Sequence, residues 1–147
     1  GNLQPKLDTI FSPSRPPLER LAMKMEQSYV KTKEIAAEHG CVLGCPFYNI
    51  GTEISTIEPE LREKVNQMLN RYQRYFDSAI TDAIANGDIP HTEVKEASRI
   101  LFNLYEGIIT QARMKNDPEV IRDLPVAAAR ILGIPQLPVV NPESATI

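Results

Sequence analysis

Residues 44–65, GCPFYNIGTEISTIEPELREKV, contain two helix starts in quick succession. Pro46 follows a Gly-Cys turn and opens a short helix that should run to about Ser55. Glu58 is then placed as an N-cap and Pro59 as a first helical residue, a position where proline's missing N–H costs nothing. Glu60 and Glu63 sit near the positive end of the helix dipole. From there an apolar stripe runs through Leu61, Val65, Met68, Leu69, Tyr72, Phe76, Ala79, Ile80, Ala83 and Ile84 at steps of three and four. Asn86-Gly87 stops it, as a left-handed cap would. At 1.5 Å per residue this helix spans roughly 40 Å, close to a whole domain diameter.

The same period recurs on both sides of this stretch, and the alternation typical of strands is nearly absent. Residues 3–11 read as a short helical segment, and Ser12–Pro17 as a proline-rich break. Leu18, Leu21, Ala22, Met25 and Tyr29 then form the stripe of a helix that continues to about Ala37 and ends at Gly40. Downstream, Thr92 is placed to cap a helix reaching Lys115, and Asp117-Pro118 to start a last one through Leu132, closed by Gly133. Residues 134–147 hold Pro135, Pro138 and Pro142 without helical pattern and read as an extended or disordered tail. The fold class is therefore all-α: a helical bundle of about five to six helices over residues 1–133.

Composition restricts the function classes. A chain of 147 residues with net charge −3 is one soluble domain and a poor candidate for gripping duplex DNA unaided. No run approaches the roughly 20 apolar residues that span a bilayer. Two cysteines, Cys41 and Cys45, make no disulfide framework and point to a reducing, cytoplasmic setting. They read as small residues flanking a turn. Neither a metal-ligand spacing nor a cofactor loop nor a nucleophile elbow is present, so no metal site, no cofactor and no catalytic residue is expected, and the chain reads as a non-enzyme.

Two groups of residues invite a binding role. The helix over 92–115 is apolar on two faces, and one face would need cover from outside the chain. That face carries Ile100, Asn103, Leu104, Gly107, Ile108, Gln111 and Met114. The last helix adds Val120, Leu124, Ala127 and Ala128. Together they should form a twofold homodimer interface through the last two long helices. The second group could converge inside the bundle to line a small-ligand cavity, which is mostly apolar and aromatic with a few orienting polar groups. It consists of Met25, Tyr29, Phe47, Tyr48, Met68, Tyr72, Phe76, Phe102, Tyr105 and Ile109, with Asn49 and Glu106 as polar members. For any single one of these, ordinary core filling is the plainer reading.

In order along the chain, these pieces resemble the regulatory domain of TetR-type transcriptional repressors. Leu18-Glu19-Arg20-Leu21 after a proline is similar to the start of that domain's first helix. Gly44-Cys45-Pro46-Phe47 with Asn49, Glu53 and Ser55 is similar to the Gly-Cys segment of one large subgroup, although Tyr48 stands where that subgroup often has glycine. Glu58-Pro59-Glu60-Leu61-Arg62-Glu63, Leu104-Tyr105-Glu106-Gly107 and Asp117-Pro118 match the motifs that follow. The resemblance implies a dimeric, effector-sensing domain that binds a small, largely apolar ligand. In such repressors the effector displaces attached DNA-binding heads, so that they no longer match successive major grooves. The helix-turn-helix that would do so has no counterpart in these residues. DNA would be a partner only through an N-terminal domain. The alternative is a purely structural helical dimerisation module without a ligand cavity.

Overall fold

A computed structural model of the chain describes residues 3–141 and residue 143, and these form α-helices with no strand among them. The helices are α1 (Leu3–Ile10), α2 (Pro17–His39), α3 (Pro46–Ile54), α4 (Pro59–Ala85), α5 (Val94–Lys115) and α6 (Asp123–Leu132). A 3-10 turn, Pro118–Arg122, links α5 to α6. Pro17, Pro46, Pro59 and Pro118 each stand in the first turn of their helix, where no N–H is needed. Gly40 and Gly133 close α2 and α6 in the left-handed conformation, and Asn116 does so for α5 at φ 51°.

Three boundaries differ from the sequence reading. The cap of α5 is Glu93, whose carboxylate accepts from the Lys95 N–H at 3.3 Å, and not Thr92. The last helix is also not continuous from Pro118. Pro125 cannot donate to Ile121, and its ring would crowd that carbonyl in an unbroken helix. The chain instead turns in a tight 3-10 segment and begins α6 at Asp123, which puts Pro125 in a first turn. Finally, residues 134–141 carry no helix, yet Leu137 is buried and Ile134 and Val140 pack against the core. This part of the expected tail belongs to the domain; residue 142 and residues 144–147 lie outside the described residues.

Helix α2 is the surrounded element, a role that the sequence pattern gave to α5. Its first three turns are buried on every side, including the polar Arg20, Lys24, Gln27 and Ser28. It packs against α1, α4, α6 and the 3-10 turn, while α5 lies across α4 and α6. The centre is aromatic. Phe76 is fully buried and meets the rings of Phe11, Tyr72, Phe102 and Tyr105 at 5.5–6.0 Å between centroids, all tilted or edge-on.

Arg20 ties the start of α2 to two neighbours. Its guanidinium donates to Asp82 Oδ2 on α4 at 2.5 Å, to the Arg15 carbonyl at 2.8 Å and to the Pro13 carbonyl at 3.1 Å. Arg20→Met keeps the apolar stem and strands these acceptors. Because Asp82 is 43% exposed and can turn to water, the expected loss is moderate, about 2–3 kcal/mol. Urea unfolding should show a lower midpoint with an unchanged slope.

Candidate functional site

A cleft of about 450 Å³ opens between α2, α3 and the middle of α5, with α1 and α4 at its margins. One wall is a single stripe of α2: Lys24, Gln27, Ser28, Lys31, Thr32 and Ile35, all at steps of three and four. Opposite it are Gly44, Cys45, Pro46 and Phe47 at the start of α3. Tyr72, Tyr105, Glu106 and Ile109 form the floor, and Lys6 stands at the rim.

The wall formed by α3 is thin, since no residue of this helix is fully buried. It is held by its packing against α4 and by the strap before it. The Val42 N–H donates to Asn116 Oδ1 at 2.8 Å, and Asn49 Nδ2 donates to the Leu43 carbonyl at 2.8 Å. Gly44 is needed twice over. Its φ is +72°, and a Cβ there would stand 3.1 Å from Arg113 Cδ.

The polar groups of the floor divide into a satisfied set and an unsatisfied one. Ser28 gives its only proton to the Lys24 carbonyl at 2.8 Å, so the 2.5 Å contact between Ser28 and Tyr105 has the tyrosine as donor. Tyr72 in turn donates to Tyr105 at 3.2 Å. All three hydroxyl protons are thus committed to one another and to the backbone. Burial raises both phenols above the ordinary tyrosine value and keeps them protonated.

Glu106 is different. It is fully buried, and neither carboxylate oxygen has a partner in good hydrogen-bond geometry; the Cys45 thiol, a weak donor, makes at most a long contact with it. Burial pushes its pKa up to about 7, against the opposing effects of that thiol contact and of the Lys24 ammonium. Lys24 is buried too, donates to Gln27 Oε1 at 2.8 Å and stands 5.5 Å and 5.9 Å from the ring centres of Tyr72 and Tyr105. Burial lowers its pKa to about 8, with Glu106 resisting. Burial first, and then Glu106, push the Cys45 thiol up to about 12, so it is a neutral neighbour and a poor nucleophile.

Among the residues expected to line a cavity, Phe47, Tyr72, Tyr105, Glu106 and Ile109 meet in this cleft. Met25, Phe76 and Phe102 are core residues. Tyr29 faces the 3-10 turn: its hydroxyl donates to Glu119 at 2.6 Å and its ring lies 3.5 Å beneath the Arg122 guanidinium. Tyr48, with Phe47, lines a separate crevice of about 160 Å³ between α3 and α4, Asn49 braces the strap, and Met68 lines neither space. Lys24, Gln27, Ser28, Lys31, Thr32 and Ile35 were missed. Their spacing is helical, but a run of lysines with small polar residues is indistinguishable in sequence from a wet face.

The second expected surface divides in the same way. On α5, Ile100 is 44% exposed and Met114 70%, Asn103, Gly107 and Gln111 are exposed, and Leu104 and Ile108 are half-buried. A Cβ added at Gly107 would meet nothing within 4 Å. Leu124 and Ala128, however, are wholly buried against their own subunit, on one inward face with Ile121 and Leu132 at steps of three and four. They are core residues and not interface residues. The outer side of α6 carries Val126, 56% exposed, with the half-buried Ala127 and Ile131; Val120 on the 3-10 turn is also half-buried.

No helix among the described residues is long and apolar enough to cross a membrane. No curated protein and no solved structure is matched by the chain at a significant level. A family model does match, described as tetracyclin repressor-like, C-terminal domain, and it covers residues 17–127. That span runs from the first residue of α2 into α6 and takes in both the cleft and the outer face of α5. The chain belongs to the family of tetracyclin repressor-like C-terminal domains.

Proposed function

We propose that this domain senses a small, amphipathic effector in the cleft between α2, α3 and α5 and dimerises through the outer face of α5 together with α6. The observation that carries the sensing role is Glu106. A buried carboxyl with no well-formed hydrogen bond, and only the weak Cys45 thiol near it, is costly to the fold, and such a cost is retained where a ligand can supply the missing bonds. The apolar Ile35, Pro46, Phe47 and Ile109 around it suit the body of a largely hydrophobic molecule. The thin α3 wall is the element whose position an occupant would bias. Control of transcription then requires only that the ligand prefer one of two arrangements. A helix-turn-helix elsewhere in the protein would read out that preference.

Melting curves with a panel of apolar small molecules test the sensing role. A true effector at about a hundred times its Kd adds about 2.7 kcal/mol of stability. Ile35→Trp, at a half-buried position on the α2 wall, should fill the space and remove that shift while leaving the ligand-free melting temperature near its original value. If no apolar compound raises the melting temperature, or if the shift survives Ile35→Trp, the cleft is not the effector site. The purely structural dimerisation module then takes its place.

A further inference from the structure

We infer that the effector is an organic anion, such as an aromatic carboxylate, held between the Lys24 ammonium and a protonated Glu106, so that binding takes up a proton. This rests on the cleft being the effector site and goes on to name the chemistry of the occupant.

Tyr72, Tyr105 and Ser28 have no free proton to give, since each donates to the next or to the Lys24 carbonyl. Lys24 has three N–H bonds and gives one of them to Gln27, which leaves donors for a ligand. Glu106, with no well-formed hydrogen bond, is the carboxyl that acts on it. A polar head that reaches the floor therefore meets this lysine and this carboxyl together, with Gln27, Lys31 and Thr32 on the α2 wall.

Charge then selects among heads. From α2 the cleft presents Lys24 and Lys31, from α1 Lys6, from the start of α3 Cys45, from α4 Tyr72, and from α5 Tyr105 and Glu106; burial first, and then Glu106, raise the pKa of the Tyr48 phenol on α3. The thiol and the phenols are neutral. Lys31 is partly offset by Glu34 at 2.8 Å, and Lys6 is exposed at the rim. A cationic ligand would be buried against Lys24 with lysines above it. An anion meets one buried counter-charge, and its repulsion by Glu106 vanishes once that carboxyl is protonated. The acid then donates to one ligand oxygen while Lys24 donates to the other. The Lys24–Glu106–ligand cluster carries no net charge in that state, which is the least costly way to bury it. With Glu106 titrating at about 7, the proton is available near neutrality.

Isothermal titration with naphthoate, naphthylmethanol and naphthylmethylamine tests this, since the three share one apolar body. Naphthoate should bind tightest and with net proton uptake, read from the dependence of the heat on buffer ionisation. Its affinity should fall about 20-fold between about pH 6 and about pH 8, roughly 10-fold from Glu106 and a further twofold as Lys24 becomes half neutral. Glu106→Gln, which imitates the protonated acid, should keep naphthoate binding near pH 6 and remove the proton uptake at position 106; the pH effect that remains belongs to Lys24 alone, whose pKa falls further once the Glu106 charge is gone. Lys24→Met should abolish naphthoate binding and spare the alcohol. If the alcohol or the amine binds as well as naphthoate, and Ile35→Trp blocks it, the cleft remains the effector site but the anion proposal is wrong. Naphthoate binding that is independent of pH also overturns it. Failure of all three compounds overturns both readings.

Discussion

Phe76→Ala should destabilise the domain by about 3–5 kcal/mol, a large share of the total stability of a chain this size. Phe76 has no exposed surface, and its ring is the common neighbour of Phe11, Tyr72, Phe102 and Tyr105. These come from the segment after α1, from α4 and from α5, so no single backbone shift can close the resulting hole. The loss should therefore approach the full transfer and cavity cost. Denaturant unfolding by far-UV circular dichroism measures it. A change below about 1 kcal/mol would mean that the aromatic centre is not the rigid cluster described. Phe76→Leu, which keeps most of the volume, should cost far less.

Gly107→Leu should leave the subunit folded and separate the dimer. A side chain at this position meets nothing within 4 Å inside its own subunit, so the fold should tolerate it and even gain from the better helix propensity. If the proposed twofold contact runs over this part of α5, the same side chain appears in it twice. Overpacking of about 1–3 kcal/mol would raise the dimer dissociation constant roughly 5- to 150-fold. Sedimentation equilibrium at micromolar concentration distinguishes the outcomes, and melting of the monomer is the control. A wild-type chain that sediments as a monomer removes the dimer proposal, as does a Gly107→Leu dimer of undiminished affinity.

The helices were legible in the sequence because each carries a strong local signal. Prolines stand at their starts, left-handed residues at their ends, and apolar steps of three and four lie between. Where a signal was local but read too simply, the boundary slipped. Pro118 announces a helix, yet Pro125 cuts it seven residues later. Leu124 and Ala128 share the inward face of Ile121 and Leu132, and so moved from interface to core.

The cleft was only half legible for a different reason. Aromatic residues advertise burial, so Tyr72, Tyr105 and Phe47 were found, together with Phe76 and Phe102, which merely fill the centre. Burial of Lys24 and Ser28 depends on α2 being enclosed by its neighbours. Nothing within the helix itself announces that. Glu106 was visible as a polar residue in an apolar motif, but its lack of a well-formed hydrogen bond is a property of the assembled floor.

The strap from α2 to α3 has a mechanical meaning. Val42 is fastened to Asn116, the residue that ends α5, and Gly44 rests against Arg113 one turn earlier. The thin wall of the cleft and the end of α5 therefore share an anchor, like two levers on one pivot. Glycine would relax the left-handed backbone at position 116, but it has no side chain with which to hold the strap. Asparagine accepts a small local strain and in return keeps the levers joined. An outward swing of α3, away from its packing on α4, would then pull on the end of α5 instead of being absorbed in a slack loop.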